Sequence, residues 1–188
     1  MIRLATIADA TQIQAIYAPF CTDSSITFET EAPSVESMEQ RIHTVTQRYP
    51  WLVYQQQSQI LGYVYATTHN ERAAYQWSVN VSVYIHNNAR RRGIGQKLYT
   101  SLFAILRHQG YYNAYAGITL PNPASMGLHN KMGFQPVGIY RQVGYKCGQW
   151  HDVIWLELKL QPPSPNPHPP IRMNQMGGDN IWERLLPN

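Results

Sequence analysis

The feature of this sequence that most constrains its fold is a strand that leads directly into a basic, glycine-containing loop and then a helix. Residues 79–85 are rich in β-branched and aromatic side chains, which is typical of a strand. His86-Asn87-Asn88 predicts a turn. The apolar residues that follow keep the spacing of one helical face: Ile94, Leu98, Leu102 and Ile105. We therefore expect one strand–loop–helix unit that ends near Gln109.

The loop between them has the chemistry of an anion-binding site. Arg91 and Arg92 precede Gly93 and Gly95, and glycine lets the backbone approach a ligand closely. The first amides of a helix lack intrahelical partners and carry partial positive charge, which suits a pyrophosphate. The loop is not a Walker A motif, and Leu98 stands where a dinucleotide-binding fingerprint needs its third glycine. A solvated basic helix cap is the alternative interpretation of the loop alone.

Composition narrows the possible classes of function. The chain has 188 residues and a formal charge of +4, which suits an anionic ligand, but it has neither an aromatic-plus-basic RNA motif nor a zinc finger. We therefore expect no nucleic-acid partner. Cys21 and Cys147 do not form a metal motif, and the histidines show no cluster spacing, so no metal is predicted. The cysteines are interpreted as free thiols of a reducing compartment.

The predicted location is cytoplasmic. The N-terminus begins a strand rather than a signal peptide, and the sequence has no run long and apolar enough to span a membrane. Residues 1–160 are expected to form one domain. Residues 161–188 are expected to be a Pro-rich C-terminal tail, because six of the ten residues 161–170 are proline. An apolar cluster near Trp182 either docks as a helix or belongs to a disordered terminus.

The predicted elements alternate in a defined order. Helices are expected after Asp9 and after Ser34, each acting as an N-cap, then after the glycine loop, and from Pro123 to about Met132. The predicted strands are residues 2–5, 51–54, 60–67, 77–85, 114–120, 134–143 and 150–160.

Residues 91–95 resemble the acyl-CoA loop of the GCN5-related N-acetyltransferases (GNAT), and the element order resembles that of their fold. Five further segments resemble phosphinothricin N-acetyltransferases, in the same order within residues 1–165: residues 26–31, 48–53, 82–85, 128–134 and 144–152. The resemblance implies an α/β (α+β) fold, with a mixed twisted sheet and helices on both faces. It also implies a homodimer that binds acetyl-CoA. The implied reaction acetylates the α-amino group of a small amino acid or a toxic analogue, of the phosphinothricin or methionine sulfoximine type, directly in a ternary complex.

The resemblance also implies which residues hold acetyl-CoA. The strand backbone of Val83, Tyr84 and Ile85 would pair with the pantetheine arm as an added strand does. Asn122 would contact CoA, act as a plain N-cap, or do both. The pyrophosphate would lie among Arg91, Arg92, Gly93, Ile94, Gly95 and Gln96.

Two positions carry the expected chemistry. His129 lies where many of these enzymes have a tyrosine that protonates the leaving thiolate, and imidazole can relay a proton near neutral pH. Packing against Phe134 is its alternative role. Asn80 departs from the family pattern, which has a glutamate base there, because an amide cannot accept a proton. Asn80 thus leaves open a non-catalytic acetyl-CoA-binding protein that has lost its base, or a different base, with Glu29 and Glu71 as candidates. A water chain that carries the proton to bulk solvent, or an acceptor amine of lower pKa, would also be compatible with Asn80.

The acceptor residues are assigned from the family layout. Phe28 and Glu29, between the first two helices, would line the acceptor pocket. Arg72 and Tyr75 would hold a carboxylate or phosphinate, to which arginine binds in a bidentate manner. The alternative for the second pair is an exposed loop charge and a ring at the edge of the core.

Overall fold

The computed structural model describes residues 1–177 and 179–186. The strands are β1 Ile2–Leu4, β2 Trp51–Gln56, β3 Gln59–Thr68, β4 Ser78–Ile85, β5 Asn113–Thr119, β6 Gln135–Lys146 and β7 Gln149–Lys159. The helices are α1 Ala10–Thr22, α2 Val35–Thr46, α3 Ile94–Gln109, α4 Pro123–Lys131 and α5 Asp179–Leu185. The predicted element order is therefore confirmed. No helix in the described residues combines the length and the apolar character that crossing a bilayer requires.

The strands form one mixed sheet in the order β1-β2-β3-β4-β5-β7-β6. All neighbouring pairs are antiparallel except β4 and β5, which are parallel. The β4–β5 register covers only three pairs, from Ser78–Asn113 to Asn80–Tyr115. Beyond Asn80 the two strands diverge, and this fork sets the position of the functional site.

Helices cover both faces of the sheet, as predicted. Alternate side chains of a strand point to opposite faces, so Leu52 of β2 joins the core beneath α3, while Val53 joins the core beneath α1 and α2. Leu98 and Leu102 of α3 are fully buried, and each such side chain contributes about 1.5–3 kcal/mol to the free energy of folding.

The two predicted N-caps have different outcomes. The Ser34 hydroxyl accepts a hydrogen bond from the Ser37 amide at 3.1 Å, which confirms the cap of α2. Asp9 stands at the N-cap of α1 without making a side-chain cap. Its carboxylate instead accepts two hydrogen bonds of 2.7 Å from Arg3 and one from the Thr6 amide. The prediction for the Asp9 side chain was wrong, because the bidentate arginine contact takes its acceptor oxygens.

The strand β6 extends further than predicted. A bulge interrupts the pairing of β6 with β7 between Tyr140 and Gly144, where Gln142 has a φ of 48°. Pairing then resumes and continues to Lys146. The strand was predicted to end at residue 143, but the chain only forms a bulge there and turns later. The turn itself is Cys147-Gly148, both with positive φ, as a two-residue hairpin requires.

The tail returns to its own chain. Met173, in a short 3₁₀ turn, and Leu185 of α5 are buried in the core beneath α3. Gln109 donates to the Ile171 carbonyl at 2.8 Å, and the Trp77 indole donates to the His168 carbonyl at 2.8 Å. The apolar cluster of the tail is therefore docked, whereas the division into a domain of residues 1–160 and a separate tail stays a prediction.

Candidate active site

A cleft opens where β4 and β5 diverge. Beyond Asn80 and Tyr115 the two strands no longer pair with each other, so the edge of β4 that faces β5 is open to an extended ligand. The cleft is lined by Ile26, Val81, Ser82, Val83, Tyr84, Tyr99, Ala116, Gly117, Ile118, Asn122, Ser125 and His129. The structure thus brings Val83, Tyr84, Asn122 and His129 together, as the sequence predicted, and Ile85 continues the same strand.

The glycine loop connects β4 to α3 beside this cleft. Gly93 is the N-cap of α3 with a φ of 75°, a conformation that favours glycine, and Arg91 has a φ of 62°. Arg91 and Arg92 are exposed, whereas Arg90 lies 5.6 Å from the ring centroid of Phe20. Two exposed guanidinium groups at the start of a sixteen-residue helix fit the pyrophosphate of CoA.

Two contacts fix the helices that border the cleft. A Cβ atom on Gly95 would lie 2.9 Å from Cδ2 of Leu128, so glycine permits the close approach of α3 and α4. The Asn122 side chain accepts a hydrogen bond from the Ser125 amide at 3.1 Å. The N-cap role of Asn122 is confirmed, while its contact with CoA stays a prediction.

His129 is buried between α3 and α4, with 3% of its surface exposed. Its Nδ1 lies 2.8 Å from the Ser125 carbonyl oxygen, and its Nε2 lies 2.9 Å from the Tyr99 hydroxyl. A carbonyl can only accept, so Nδ1 carries the proton and Nε2 accepts from Tyr99. Burial lowers the pKa of His129, although the Ser125 hydrogen bond opposes this shift. Its ring also packs edge-on against Phe134 at 4.9 Å.

These contacts change what His129 offers to the cleft. Both of its ring nitrogens are hydrogen-bonded, and Tyr99 also lines the cleft. A proton that moves through His129 can therefore reach the cleft through the Tyr99 hydroxyl, and the direct role of His129 as an acid stays a prediction. Sequence reasoning missed Tyr99 because it lies on the apolar stripe of α3, where a buried aromatic residue is ordinary.

Asn80 lies at the apex of the fork. Its Oδ1 is 2.8 Å from Nδ1 of His69, and its Nδ2 is 3.4 Å from the Thr68 carbonyl oxygen. The His69 ring stacks on Tyr115 with centroids 4.4 Å apart, and the ring of Tyr75 lies 5.8 Å away. Sequence reasoning missed His69, since a histidine at the end of a strand has no motif spacing that would reveal its partner.

The carboxylate of Glu29 is fully engaged. It accepts hydrogen bonds of 2.8 and 2.9 Å from Arg41 and one of 3.0 Å from the Tyr17 hydroxyl. Burial raises the pKa of Glu29, but the bonds from Arg41 and Tyr17 outweigh this effect and hold the pKa below its ordinary value. Glu29 therefore does not suit the base that the sequence left open. Arg41 is a further residue that sequence reasoning missed.

The other predicted acceptor residues lie on two loops. Phe28 is 39% exposed and covers Gly144 of β6 so closely that a Cβ atom there would overlap its ring. Arg72 is exposed and precedes the 3₁₀ turn Ala73–Tyr75, and Tyr75 lies near His69. Their contacts with an acceptor stay predictions.

A buried ammonium group holds the loop that carries Phe28. Nζ of Lys146, at the end of β6, donates to the main-chain carbonyls of Phe20 at 3.2 Å and of Thr27 and Glu29 at 2.7 Å. These bonds use all three donors of the ammonium group. Lys146 is thus a structural residue that fixes the path of residues 26–31, and no pattern in the sequence indicated it.

Comparison with known proteins agrees with this geometry. The sequence pattern described as "Acetyltransferase (GNAT) domain" matches residues 2–155. The chain is 35% identical to a phosphinothricin N-acetyltransferase of Streptomyces viridochromogenes over 164 residues, which are 87% of this chain and 90% of the relative. It is 31% identical to an L-methionine sulfoximine/L-methionine sulfone acetyltransferase of Pseudomonas aeruginosa over 163 residues, 86% and 95% of the two chains.

A solved structure extends the comparison to three dimensions. The crystal structure of a phosphinothricin acetyltransferase from Sinorhizobium meliloti in complex with acetyl-CoA superposes with a TM-score of 0.84 and 29% identity. The match covers 92% of this chain and 97% of that protein. Both the sheet with its forked central strands and the sequence match point to one family. The chain therefore belongs to the GNAT family and is an acetyl-CoA-dependent N-acetyltransferase.

Proposed function

We propose that the acceptor is a small amino acid, or an analogue of the phosphinothricin or methionine sulfoximine type, and that its α-amino group receives the acetyl group. The names of the relatives that align along most of the chain support this acceptor class. The observation that carries the proposal is the fork of β4 and β5. The anion-binding loop lies beyond the C-terminal end of β4, and the apex of the fork is formed by Asn80, His69 and Tyr115.

In this proposal the acetyl-CoA substrate lies along the cleft. Arg91 and Arg92, with the α3 amides from Ile94 to Gln96, bind its pyrophosphate, and the backbone of residues 83–85 binds the pantetheine arm. Asn122 contacts the same arm from the start of α4. The thioester carbonyl carbon is the electrophile that acetyl-CoA supplies, and the Tyr99–His129 pair returns a proton to the departing sulfur.

The acceptor binds on the face of β4 that is opposite α3. Arg72 and Tyr75 hold its carboxylate or phosphinate, since a guanidinium group matches such anions in shape and charge. Phe28 forms the opposite wall. Glu29 contributes to the pocket by holding Arg41 and Tyr17 in place rather than by contacting the acceptor.

The proposal includes a homodimer that forms through β6. This strand is at the edge of the sheet, and its residues from Gln135 to Val143 are exposed. Large apolar side chains on β6 and the start of β7 are between 42% and 60% exposed: Val137, Ile139, Tyr140, Val143, Tyr145 and Trp150. An apolar patch and an unpaired strand edge favour association with a second copy. The free thiols of Cys21 and Cys147 suit a reducing compartment, which supports a cytoplasmic location.

A thiol-release assay tests the acceptor class. Purified protein with acetyl-CoA should release CoA thiol when phosphinothricin, methionine sulfoximine or methionine sulfone is added. The N-acetylated form of each compound, which has no amine to acetylate, is the matched control and should give only the background rate. Calorimetry that detects acetyl-CoA binding, together with background thiol release for every amine, would instead indicate the non-catalytic binder.

A further inference from the structure

The residue pair His69–Asn80 occupies the place where a carboxylate base is missing. We propose that His69 is the general base that accepts a proton from the ammonium group of the acceptor, and that Asn80 is the positioning residue that prepares it. The proposal deepens the N-acetyltransferase function described above and depends on it. His69 directly follows β3 and Asn80 lies in the neighbouring strand β4, and the register of the two strands ends beside them at Thr68–Val79.

The hydrogen bonds fix the tautomer of His69. Nδ2 of Asn80 points to the Thr68 carbonyl oxygen, which can only accept, so this atom is the amide nitrogen and the other is the amide oxygen. Oδ1 of Asn80 also only accepts, and therefore Nδ1 of His69 must donate to it across 2.8 Å. Neutral imidazole carries one proton, so Nε2 keeps its lone pair.

His129, which lines the cleft, and His69, which stacks on Tyr115 at the apex of the fork, are consequently in different hydrogen-bonding states. His129 has the same protonated Nδ1, but its Nε2 already accepts a hydrogen bond from Tyr99. Nε2 of His69 has no hydrogen bond to any residue within 1–177 or 179–186. Only His69 of the two presents an available basic nitrogen.

The position of His69 suits an ammonium group. Its ring stacks on Tyr115, the β5 residue that pairs with Asn80 at the last step before the strands diverge. Tyr75 and Trp155 lie around it, with ring centroids at 5.8 and 6.3 Å. None of these neighbours carries a formal charge at neutral pH, and aromatic faces attract cations.

Glu29 and Glu71, the two carboxylates that the sequence left as candidate bases, are less suited to this role than His69. Glu29 is bound by Arg41 and Tyr17 with a pKa below its ordinary value. Glu71 is exposed and makes no hydrogen bond or ion pair with a residue in the described ranges. His69 is the one candidate that is both at the apex of the fork and oriented by residue 80.

The step conserves atoms and charge. Nε2 takes one proton from the ammonium group, which gives imidazolium and a neutral amine. The nitrogen lone pair forms a bond to the thioester carbonyl carbon, and collapse of the tetrahedral adduct breaks the carbon–sulfur bond. The second proton leaves the nitrogen for water as the amide forms. The thiolate gains a proton from the Tyr99–His129 pair, and water then returns one proton to that pair. Imidazolium then releases its proton to water, so the net products are N-acetyl acceptor, CoA thiol and one proton.

Kinetics of His69 variants test the base directly. His69→Phe keeps the aromatic stack on Tyr115 and removes both nitrogens, while His69→Gln keeps a donor toward Asn80 without a basic atom. Each should lower kcat/KM near neutral pH by about 10²–10⁴-fold, the usual contribution of general base catalysis, and should make the rate climb steadily toward the pKa of the amine itself. The dissociation constant for acetyl-CoA should not change. His108→Phe, on an exposed histidine of α3, should behave as wild type.

Two further measurements separate this proposal from the function itself. Nitrogen-15 NMR of the histidine rings should show His69 as the Nδ1–H tautomer in the wild type and a tautomer mixture in Asn80→Leu, and this readout requires no turnover. The double variant His69→Phe/Asn80→Glu places a carboxylate at the apex and should recover activity near neutral pH relative to His69→Phe.

Each result of these experiments tests a different part of the proposal. If the wild type acetylates the acceptor and both His69 variants keep its kcat/KM and pH profile, His69 is not the base. If the double variant recovers nothing, the apex does not face the amine, and the proposal is also wrong. An unchanged His69 tautomer in Asn80→Leu would remove the positioning role of Asn80. If the wild-type protein acetylates no acceptor, the proposed function is wrong. The NMR result would still show how His69 is held.

Discussion

The Tyr99 hydroxyl oxygen lies 2.9 Å from Nε2 of His129, with both side chains buried. This hydrogen bond joins α3, which begins at the glycine loop, to α4, which carries the proposed acid. When Nε2 carries a proton, it can pass that proton to the phenol oxygen as the phenol gives its own away, so the pair can relay one proton to the cleft.

Tyr99→Phe should therefore impair chemistry and stability together. Loss of the hydroxyl leaves Nε2 of His129 buried without a donor, which costs about 1–3 kcal/mol of folding free energy. We expect kcat to fall at least as far as in His129→Phe, with little change in acetyl-CoA affinity, measured by steady-state kinetics, calorimetry and urea unfolding. Tyr112→Phe is the matched control. Normal turnover in both Tyr99→Phe and His129→Phe would show that the pair is purely structural.

His129 should also make stability depend on pH. Burial lowers its pKa in the folded state, so the unfolded chain binds more protons once the pH falls below the ordinary value of about 6.5. Its contribution to stability is present above that value and is lost as the pH falls toward the folded-state pKa. Urea midpoints measured from pH about 7.5 to about 5 should drop less for His129→Gln than for the wild type. His108→Gln should retain the wild-type slope, and equal slopes for all three proteins would contradict the assignment.

Arg92→Glu should weaken acetyl-CoA binding. Reversing a charge beside a pyrophosphate removes a charge-assisted hydrogen bond and adds repulsion, which costs at least about 1.5–3 kcal/mol, or about 10- to 150-fold in affinity. Calorimetry in low salt measures the effect. Arg172→Glu makes the same change of charge on the exposed start of the Met173–Gln175 turn and should bind normally; equal affinity of all three proteins would exclude the arginine loop as the pyrophosphate site.

Gly144→Ala should alter the acceptor pocket without affecting acetyl-CoA. A Cβ atom at residue 144 would overlap the Phe28 ring, so Phe28 must move. We expect a changed KM for the acceptor, measured at saturating acetyl-CoA, and an unchanged dissociation constant for acetyl-CoA. Gly138→Ala, on the same strand and with open space around its Cβ position, is the control. If both variants match the wild type, Phe28 does not line the acceptor pocket.

Ile139→Lys should shift the protein from dimer to monomer. It places a charge in the exposed apolar patch on β6, where burial against a second copy would be unfavourable. Light scattering coupled to size-exclusion chromatography measures the change in mass, and Gln40→Lys, at an exposed position of α2, controls for added charge. A wild type that is monomeric at high concentration would contradict the homodimer.

The sequence predicted the order of elements because hydrophobic period, turn residues and glycine positions are local signals. The strand, the arginine loop and the start of the helix followed from one continuous stretch, residues 79–96. The residues that escaped prediction, which are Arg41, His69, Tyr99 and Lys146, act through partners at least eleven positions away in the chain. Lys146 binds carbonyls more than a hundred positions away, and only the folded sheet brings them together.

The surroundings of Asn80 in the candidate site were also only partly predictable from the sequence. The sequence marked it as a departure from the family pattern, and that observation was local. Its partner His69 lies eleven positions earlier, across the connection from β3 to β4. The pairing depends on the antiparallel register of those strands and on the length of the loop between them, neither of which can be read from residue types alone.

The hydrogen bonds of Lys146 affect which substitutions the loop of residues 26–31 can accept. Two of the three bonds go to main-chain oxygens of this loop, those of Thr27 and Glu29. Every amino acid possesses such an oxygen, so this part of the loop's support does not depend on the side chain of residue 28. We therefore expect a substitution of Phe28 to leave the bonds of Lys146 in place. In the proposed function, where Phe28 forms one wall of the acceptor pocket, such a substitution should change which acceptors bind without removing the support of the loop.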